Sequence, residues 1–392
     1  MKTATIDDVR QAAEKNGYTE AATEQSEPVA LATLVQQIAD ILNKYVELPM
    51  KQFAVLIALW IANTYVYKLF DSCGYLRLKS ATPRCGKSRL LELIGALVDP
   101  PVPIMTMPTA AILFRSERPV LLLDEVDNLR QKDKDAHGDV MSILNLAYKK
   151  GGIVERCNKN NLKVESFDVY RPIAIAGIEG IADTLADRCF LVPMKRSTKR
   201  SPRLNLRKME PEFQKIRAGL STWFYTKEHQ ELIRSTYDKL PDAIPDLAEY
   251  DDRLQDVSEP LYLLATLADE MSPGSNLKTE FLTALAKVST HREPSGREKG
   301  LLSFLDIARK KLGIQEQVFV SSQELVKACM EETDDLSWID SMKKLANFLK
   351  NFDLSPRHNS SGNQRGYDLK KEWVEDWEAR YSNPSEISQT EE

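Results

Sequence analysis

The stretch of residues 79–92 (KSATPRCGKSRLLE) constrains the fold of this chain more than any other part of its sequence. It follows a short apolar segment at 75–78, contains the tripeptide Gly86-Lys87-Ser88, and continues into residues 89–97, where leucine and isoleucine recur every three or four positions. That periodicity predicts an amphipathic helix that begins at the glycine. A strand, a loop and a helix in this order predict a phosphate-binding loop, because the N–H groups of the first helical turn surround an anion.

The residue types in this loop fit the binding of ATP with Mg²⁺. In a phosphate-binding loop a lysine reaches the β- and γ-phosphate oxygens and a serine hydroxyl binds Mg²⁺, which assigns these roles to Lys87 and Ser88. The usual pattern G-x-x-x-x-G-K-[ST] has a glycine where this chain has Ala81. Because alanine tolerates positive φ poorly, we expect the entry of the loop to differ. The predicted nucleotide-binding residues are Arg84, Cys85, Gly86, Lys87, Ser88 and Arg89.

A second motif, at residues 119–127 (PVLLLDEVD), supplies acidic side chains. Its apolar run, bounded by a proline and acids, suits a strand buried on both faces of a parallel sheet. Asp124 and Glu125 then lie at the carboxyl end of the strand, where ligands of open α/β sheets bind. We predict that Asp124 holds Mg²⁺ together with Ser88, and that Glu125 orients and deprotonates the attacking water. An ordinary buried strand with an acidic turn has the same pattern, but a Gly-Lys-Ser about 35 residues upstream favours the nucleotide site.

Composition narrows the class of protein. The chain has 392 residues, of which 42% are hydrophobic and 28% charged, which is typical of a soluble protein of two or three domains. No apolar run approaches the length of about 18 residues that spans a membrane, and the N-terminus lacks a signal-peptide pattern. We therefore expect a cytoplasmic protein that does not bind membranes. Five scattered cysteines argue against a disulfide framework or a zinc site, and a net charge of −5 means that nucleic acid would need a local basic patch.

The pattern of apolar residues divides the chain into six segments. Strand-like runs alternate with amphipathic helices between residues 75 and 194, which predicts an α/β domain with a parallel sheet. Near the C-terminus a short strand, two helices and a basic hairpin with Arg357, His358 and Arg365 suggest a winged helix. The predicted segments are a flexible arm at 1–28, N-terminal helices at 29–72, an ATPase core at 73–200, a helical lid-like region at 201–295, a winged-helix-like domain at 296–382 and an acidic tail at 383–392.

Seven short motifs occur in an order that resembles one family of P-loop ATPases. They lie at 58–65 (ALWIANTY), 84–92 (RCGKSRLLE), 110–115 (AAILFR), 122–127 (LLDEVD), 145–152 (NLAYKKGG), 174–177 (AIAG) and 183–188 (DTLADR). The family is encoded mainly in bacteria, phages and mobile elements, is often attached to primase or helicase modules, and is similar in its general features to the AAA+ ATPases. The resemblance covers roughly residues 50–385. It implies an ATP-hydrolysing P-loop NTPase core of AAA+ or RecA type.

The resemblance also implies how the enzyme is completed. Arg188 lies between two predicted strands, a location similar to that from which AAA+ proteins project an arginine into the nucleotide of a neighbouring subunit. We therefore predict a homo-oligomer in which Arg188 is a catalytic residue. An ion pair with Asp183 or Asp187 is the alternative role for this side chain.

One polar residue of AAA+ proteins is missing from this sequence. No asparagine or threonine follows the predicted strand at 174–178 to position the lytic water. Asn145 or Asn158 is a possible substitute, and both fit equally well as an ordinary helix or turn residue. Slow hydrolysis is the expected consequence.

Basic residues cluster between positions 195 and 208 with no acid between them. Such a patch can bind the phosphates of DNA, or it can be a solvated linker between the ATPase core and the helical region. The hairpin near the C-terminus is a second candidate for DNA contact and fits a structural cap equally well. The predicted nucleic-acid-binding residues are Lys195, Arg196, Lys199, Arg200, Arg203, Arg357 and Arg365.

Three functions are compatible with these features. The first is an oligomeric, nucleic-acid-dependent motor of helicase type from a phage or mobile element, favoured by the basic patch, the winged-helix-like end and the modules that accompany the family. The second is a regulatory or defence ATPase that acts on a protein partner without unwinding. The third is a nucleotide-binding module with weak turnover, favoured only by Ala81 and the missing polar residue. The rate of ATP hydrolysis with and without DNA separates them.

Overall fold

A computed structural model describes residues 29–106, 108–125, 134–157, 163–177, 183–197, 201–290 and 296–381. The arm at 1–28 and the acidic tail at 383–392 lie outside these residues. The chain divides into two compact units, residues 1–292 and 293–392, and each has a hydrophobic core of its own. None of the described helices combines the length and the apolarity needed to cross a membrane.

Unit 1 alternates strands with helices, as the sequence predicts. Its strands are β1 (Tyr75–Lys79), β2 (Ile104–Thr106), β3 (Leu121–Asp124), β4 (Ile153–Cys157), β5 (Val164–Asp168), β6 (Ile173–Gly177) and β7 (Cys189–Pro193). Its helices are α1 (Leu31–Tyr45), α2 (Gln52–Asn63), α3 (Lys87–Leu97), α4 (Ala110–Arg115), α5 (Lys134–Leu146), α6 (Asp183–Ala186), α7 (Leu206–Tyr225), α8 (Lys227–Tyr237), α9 (Asp252–Met271) and α10 (Leu277–Thr290).

Five of these strands form a parallel sheet in the order β2-β3-β6-β1-β7, which confirms the predicted α/β class. Lys79 at the end of β1 lies opposite both Gly177 of β6 and Pro193 of β7, and Asp124 at the end of β3 lies opposite Ala176. The carboxyl ends of four strands therefore meet at one edge of the sheet. Strands β4 and β5 pair antiparallel in a separate two-stranded sheet.

Helices cover both faces of the parallel sheet because its side chains alternate between two cores. Leu122 of β3 packs in the core formed with α1, α2, α3, α7, α9 and α10, whereas its neighbours Leu121 and Leu123 pack with α4 and α5. Helix α2 is buried along its length, and the indole N–H of Trp60 donates to the carbonyl of Gly74 at 2.7 Å. Helices α1 and α2 lie within the segment of N-terminal helices predicted at 29–72, and α2 ends at Asn63.

A glycine allows α3 to lie close to the sheet. A Cβ atom added to Gly95 would come within 2.5 Å of the backbone oxygen of Val102 and 2.9 Å of the Leu122 side chain. Any larger residue at position 95 would push the helix away from the strands. Because α3 begins at Lys87, this contact sets how near the first turn of the helix comes to the carboxyl edge of the sheet.

Unit 2 combines helices with a small antiparallel sheet. Its elements are α11 (Gly296–Leu312), β8 (Gln317–Ser321), α12 (Ser322–Glu332), α13 (Met342–Leu349), β9 (Arg357–His358), β10 (Arg365–Lys370) and α14 (Lys371–Tyr381). The strand order is β8-β10-β9, so the predicted hairpin forms between β9 and β10. The Ser321 hydroxyl caps α12 by accepting from the N–H of Glu324 at 3.2 Å.

A buried arginine ties the loop before β3 to the loop before β6. The Arg171 guanidinium donates to four backbone carbonyls, those of Ser116 (2.5 Å), Asp168 (2.9 Å), Arg118 (3.2 Å) and Val169 (3.3 Å). Only 7% of Arg171 is exposed, and this burial lowers the pKa of its guanidinium. The side chain therefore acts as a fixed cross-link between two loops at the amino-terminal edge of the sheet.

Replacing Arg171 with alanine should lower the free energy of unfolding of unit 1 by about 3 kcal/mol, because buried carbonyls lose their donor. Hydrogen exchange of the β3 and β6 amides in the full chain measures this value. The exposed Lys215 provides the control, and its alanine variant is expected to exchange like the wild type. Equal exchange in the two variants would contradict a cross-linking role.

Candidate functional site

The loop between β1 and α3 turns through left-handed backbone at two positions. Gly86 is the N-cap of α3 with φ 84°, and Arg84 has φ 63°. Ala81 is not among the described residues with positive φ. The alanine at this position is therefore free of the strain that the sequence pattern suggested, and the left-handed turn occurs at Arg84 instead.

The first turn of α3 presents backbone donors to this loop. The first hydrogen bond of the helix runs from the N–H of Leu90 to the carbonyl of Gly86 at 2.9 Å. The N–H groups of Lys87, Ser88 and Arg89 precede it and have no acceptor within the helix. Such unsatisfied donors at a helix N-terminus attract an anion.

The Lys87 ammonium group points back towards the end of β1. Its Nζ atom donates to the hydroxyl of Ser80, which in turn donates to the carbonyl of Thr82 at 2.7 Å. Ser80 is buried, with 3% of its surface exposed. Ser80 therefore holds the lysine above the loop. It immediately precedes the pattern at 81–88 and was not predicted as a site residue.

Ser88, in the helix that follows β1, meets Asp124 at the end of β3 although β1 and β3 are not neighbours in the sheet. The Ser88 hydroxyl donates to Oδ2 of Asp124 at 2.9 Å. Strand β6 lies between β1 and β3, so the contact spans the carboxyl end of β6. The two groups that the sequence assigned to Mg²⁺ are therefore adjacent. Groups of three or more His, Cys, Asp or Glu side chains that could hold a metal ion are absent from the described residues.

Glu125 follows β3 in a strained backbone conformation. Its φ is 57°, which is unusual for a residue with a side chain. Two hydrogen bonds fix its N–H, one to the carbonyl of Ala176 at 3.1 Å and one to Oδ1 of Asp124 at 3.0 Å. Backbone strain of this kind is concentrated at functional sites.

These residues line one cleft of about 600 Å³, here called the Lys87 cleft. Four parts of the chain form it: the segment after α1, the loop before α3, the ends of β3 and β6, and the segment after β7. Its lining residues are Tyr45, Val46, Glu47, Pro83, Arg84, Cys85, Gly86, Lys87, Ser88, Arg89, Asp124, Glu125, Gly177, Lys195, Ser197 and Ser201.

Two hydrogen bonds join the sides of the Lys87 cleft. Arg89 donates to the backbone oxygen of Tyr45 at 3.3 Å, and the Ser197 hydroxyl donates to the carboxylate of Glu47 at 2.5 Å. The segment after α1 was missed by sequence reasoning because it lies about 40 residues before the motif and has no pattern of its own. Lys195, predicted to bind nucleic acid, lines this cleft because β7 runs parallel beside β1.

Arg188 lies at the opposite edge of the sheet. Its carbonyl accepts from the N–H of Tyr75, the first residue of β1, and its guanidinium stacks on Tyr148 with 4.7 Å between the guanidinium carbon and the ring centre. Its Nε and Nη1 atoms are buried without a hydrogen-bond partner among the described residues. The described contact of the Arg188 side chain is with Tyr148, and the side chain of Asp183, one of its predicted alternative partners, lies outside the description.

Neither asparagine that could substitute for the missing polar residue after β6 is among the described lining residues of the Lys87 cleft. Gly177 ends β6 and lines the Lys87 cleft. Asn145 lies in α5, next to Leu144, whose carbonyl accepts from the Tyr75 hydroxyl near the amino-terminal edge of the sheet. The structure therefore does not bring Asn145 into the cleft, and Asn158 lies outside the described residues.

The other residues predicted to bind nucleic acid belong to two parts of the chain. Arg196 and Arg203 are exposed, while Lys199 and Arg200 lie outside the described residues. In unit 2, Arg365 is exposed on β10.

Arg357 of unit 2 is engaged by its own sheet. Its guanidinium donates to both oxygens of Asp368, with Nη2 at 2.6 Å from Oδ1, and stacks over the Phe319 ring at 5.3 Å. Hydrogen bonds from Arg357, with its charge as a smaller cause, hold the pKa of the Asp368 carboxyl below its usual value. These contacts hold Arg357 against its own sheet, and its role with DNA stays a prediction.

The comparisons with known proteins do not show which family the chain belongs to. No protein-family profile matches the chain, and no curated protein is similar to it in sequence. A solved structure of SCCmec type IV Cch, an active helicase, matches with a TM-score of 0.43 and 12% identity over 92% of this chain and 75% of the helicase chain. At that TM-score the match does not establish a shared fold. The resemblance to the P-loop ATPase family therefore stays a prediction.

Proposed function

We propose that this protein is an ATP-hydrolysing, Mg²⁺-dependent P-loop NTPase. The contact that supports this proposal best is the 2.9 Å hydrogen bond between Ser88 and Asp124. It joins the start of α3 to the end of β3 in a cleft that also contains Lys87 and Glu125. A serine, a lysine and two carboxylates beside a helix N-terminus suit a nucleoside triphosphate with its metal ion, since each phosphate group then meets a donor or a cation.

The residues of the Lys87 cleft fit ATP and Mg²⁺ in separate roles. The unpaired N–H groups of the first turn of α3 and the Lys87 ammonium group would hold the phosphates. Ser88 and Asp124 would hold Mg²⁺, which neutralises charge on the phosphates when bound. Arg89 already donates to the backbone oxygen of Tyr45, so it would position the segment after α1 beside the nucleotide. Arg84 and Cys85 also line the cleft.

Glu125 would act on the attacking water. Its backbone N–H is fixed by hydrogen bonds, and the residue lines the cleft directly after Asp124. A carboxylate in that place can orient water and accept its proton.

We further propose that the enzyme is an oligomeric, nucleic-acid-dependent motor of helicase type. Arg188 supports the oligomer, because its Nε and Nη1 atoms lack acceptors among the described residues and a neighbouring subunit can supply them. Unit 2 supports DNA binding by a winged-helix-like domain, since two helices precede a hairpin that carries the exposed Arg365.

A comparison of ATPase rates tests the motor. The rate is measured without DNA, with single-stranded DNA and with duplex DNA, each at two salt concentrations. Stimulation by DNA that weakens as salt rises supports the motor. A steady ATPase rate that no DNA changes would instead favour a regulatory or defence ATPase that acts on a protein partner.

Replacing Lys87 with alanine tests the nucleotide site. Loss of the ammonium group that faces the β- and γ-phosphates should abolish ATP binding or turnover. Isothermal titration with ATP and Mg²⁺ measures the affinity. Lys215→Ala removes an exposed lysine outside the cleft and serves as the control. Wild-type affinity and turnover in Lys87→Ala would show that the site is wrongly assigned.

A further inference from the structure

A second cleft in unit 1, of about 1080 Å³, shares no lining residue with the Lys87 cleft. It is here called the proline cleft, because four prolines line it: Pro100, Pro101, Pro103 and Pro119. The segment after α2, the start of the edge strand β2, the end of α4 and parts of α7 and α8 complete its walls.

The proline cleft carries an excess of positive charge. Lys68, Arg115, Arg118 and Arg234 line it, against the two acids Asp99 and Glu117. Arg115 is paired with Glu165 at 3.5 Å, and Asp99 accepts from the Ser221 hydroxyl at 2.9 Å.

Three of these cations are available to a ligand. The side chains of Lys68, Arg118 and Arg234 are exposed and make no ion pair with any described carboxylate. They come from three segments that are far apart in sequence. Because they form no basic run, the sequence did not indicate this cluster. A polyanion that follows the cleft would meet them in turn.

The backbone of the cleft does not suit an added peptide strand. Strand β2 has three residues and is preceded by Pro103, which has no N–H to donate. The other three prolines remove further donors from the walls. Because a peptide that extends a sheet depends on main-chain hydrogen bonds, these prolines disfavour an acidic peptide in an extended pairing.

The walls suit nucleobases better. Tyr225, 43% exposed, and Ile112, 49% exposed, present flat or apolar surface beside the cations. Aromatic faces next to a positively charged groove are typical of sites for single-stranded nucleic acid, in which bases stack and phosphates meet lysine and arginine. A duplex hides its base faces and cannot use such a wall.

The cleft is also preformed. Arg171 binds the carbonyls of Ser116 and Arg118, which holds the loop that carries Arg118 in place. On the opposite wall the Tyr65 hydroxyl donates to the carbonyl of Leu97 at 2.7 Å. A fixed groove loses little conformational entropy when a ligand binds.

We propose that the proline cleft binds single-stranded nucleic acid, with phosphates held by Lys68, Arg118 and Arg234 and bases packed against Tyr225. This site rests on the proposed nucleic-acid-dependent function and names where the strand lies. It is separate from the segment at 195–208 and from the hairpin of unit 2, the two surfaces that the sequence suggested.

A triple variant of the full chain tests the site. Lys68, Arg118 and Arg234 are replaced together by glutamine, and binding of a labelled oligothymidylate of about 20 nucleotides is followed by fluorescence anisotropy over a range of salt concentrations. Loss of three phosphate contacts should reduce the slope of log affinity against log salt by about 2, because each contact to a single strand contributes about 0.7. Affinity at low salt should fall by at least about tenfold.

A matched control removes the same number of charges elsewhere. Lys51, Lys215 and Lys239 are exposed and do not line the cleft, and their triple glutamine variant should keep the wild-type slope. Equal slopes for the two triple variants would overturn the proposal, because net charge alone would then explain the effect. Absence of single-strand binding by the wild-type protein would overturn it as well.

Two further arms separate the other occupants. Duplex DNA that binds as tightly as the single strand and loses affinity equally in the cleft variant would refute single-strand recognition. A labelled polyglutamate peptide that loses binding in the cleft variant, while oligothymidylate binding is unchanged, would assign the cleft to an acidic peptide.

ATP hydrolysis measured without DNA keeps this test distinct from the proposed enzyme activity. The cleft variant should retain the wild-type basal rate, since none of its three substitutions lies in the Lys87 cleft. If the wild-type chain hydrolyses no ATP, the proposed enzyme activity fails while the anisotropy slopes still decide the cleft.

Discussion

Replacing Glu125 with glutamine is expected to leave ATP binding intact and to lower the rate of hydrolysis by about 10²- to 10⁴-fold. Glutamine keeps the shape of the side chain but cannot accept the proton of the attacking water at neutral pH. The backbone around position 125 should not change, because the N–H of this residue is held by Ala176 and Asp124 whatever its side chain. Binding and chemistry are therefore expected to separate.

Two measurements check this separation. Isothermal titration gives the affinity for ATP with Mg²⁺, and single-turnover hydrolysis gives the rate of the chemical step. Glu228→Gln changes an exposed glutamate of α8 in the same way and should hydrolyse ATP at the wild-type rate. If Glu125→Gln lost ATP affinity as strongly as it lost turnover, Glu125 would have a structural role and the base would have to be sought elsewhere.

The order of apolar runs and polar motifs along the sequence was enough to predict which side chains meet in the Lys87 cleft. Apolar runs at 75–78 and 120–123 predicted parallel strands, and parallel strands present their carboxyl ends at one edge. Lys87, Ser88 and Asp124 therefore had to approach one another, and the 2.9 Å contact between Ser88 and Asp124 shows how closely they do. Their roles with ATP and Mg²⁺ stay predictions.

Features that depend on distant parts of the chain were not predictable. Strand order is set by how helices pack on both faces, so the place of β6 between β1 and β3 could not be read from the motifs. For the same reason Lys195, on the chain that continues from β7, was assigned to a basic patch although it lines the Lys87 cleft beside β1. Its role with nucleic acid stays a prediction.

Which charged side chains pair with each other was also not predictable from the sequence. The sequence did not show that Arg357 pairs with Asp368, because Asp368 lies 11 residues away on the other strand of the hairpin. The side-chain pairs of a hairpin depend on its register, which the length of its turn sets and composition does not show. The proline cleft illustrates the reverse case, in which three separated cations come together without any basic run in the sequence.

Replacing Arg188 with alanine is expected to lower ATP hydrolysis by about 10³- to 10⁵-fold while ATP still binds, if the residue completes the site of a neighbouring subunit. Arg188 cannot serve the cleft of its own chain, since it precedes β7 at the amino-terminal edge of the sheet whereas the Lys87 cleft lies at the carboxyl edge. Its buried Nε and Nη1 atoms lack acceptors among the described residues. A guanidinium that gains phosphate oxygens across a subunit interface would resolve that deficit and stabilise charge in the transition state.

Mixing two inactive variants decides whether Arg188 acts in the neighbouring subunit. Arg188→Ala keeps an intact Lys87, and Lys87→Ala keeps an intact Arg188, so a mixed oligomer contains some interfaces with both residues. ATPase activity that appears only on mixing supports a role across the interface, which no misfolded variant would produce. Arg253→Ala is the matched control, because Arg253 lies over the same Tyr148 ring at 5.8 Å and its loss should leave turnover near the wild-type rate. An Arg188→Ala protein with normal turnover, or a wild-type protein that hydrolyses ATP as a monomer, would exclude the role proposed for Arg188.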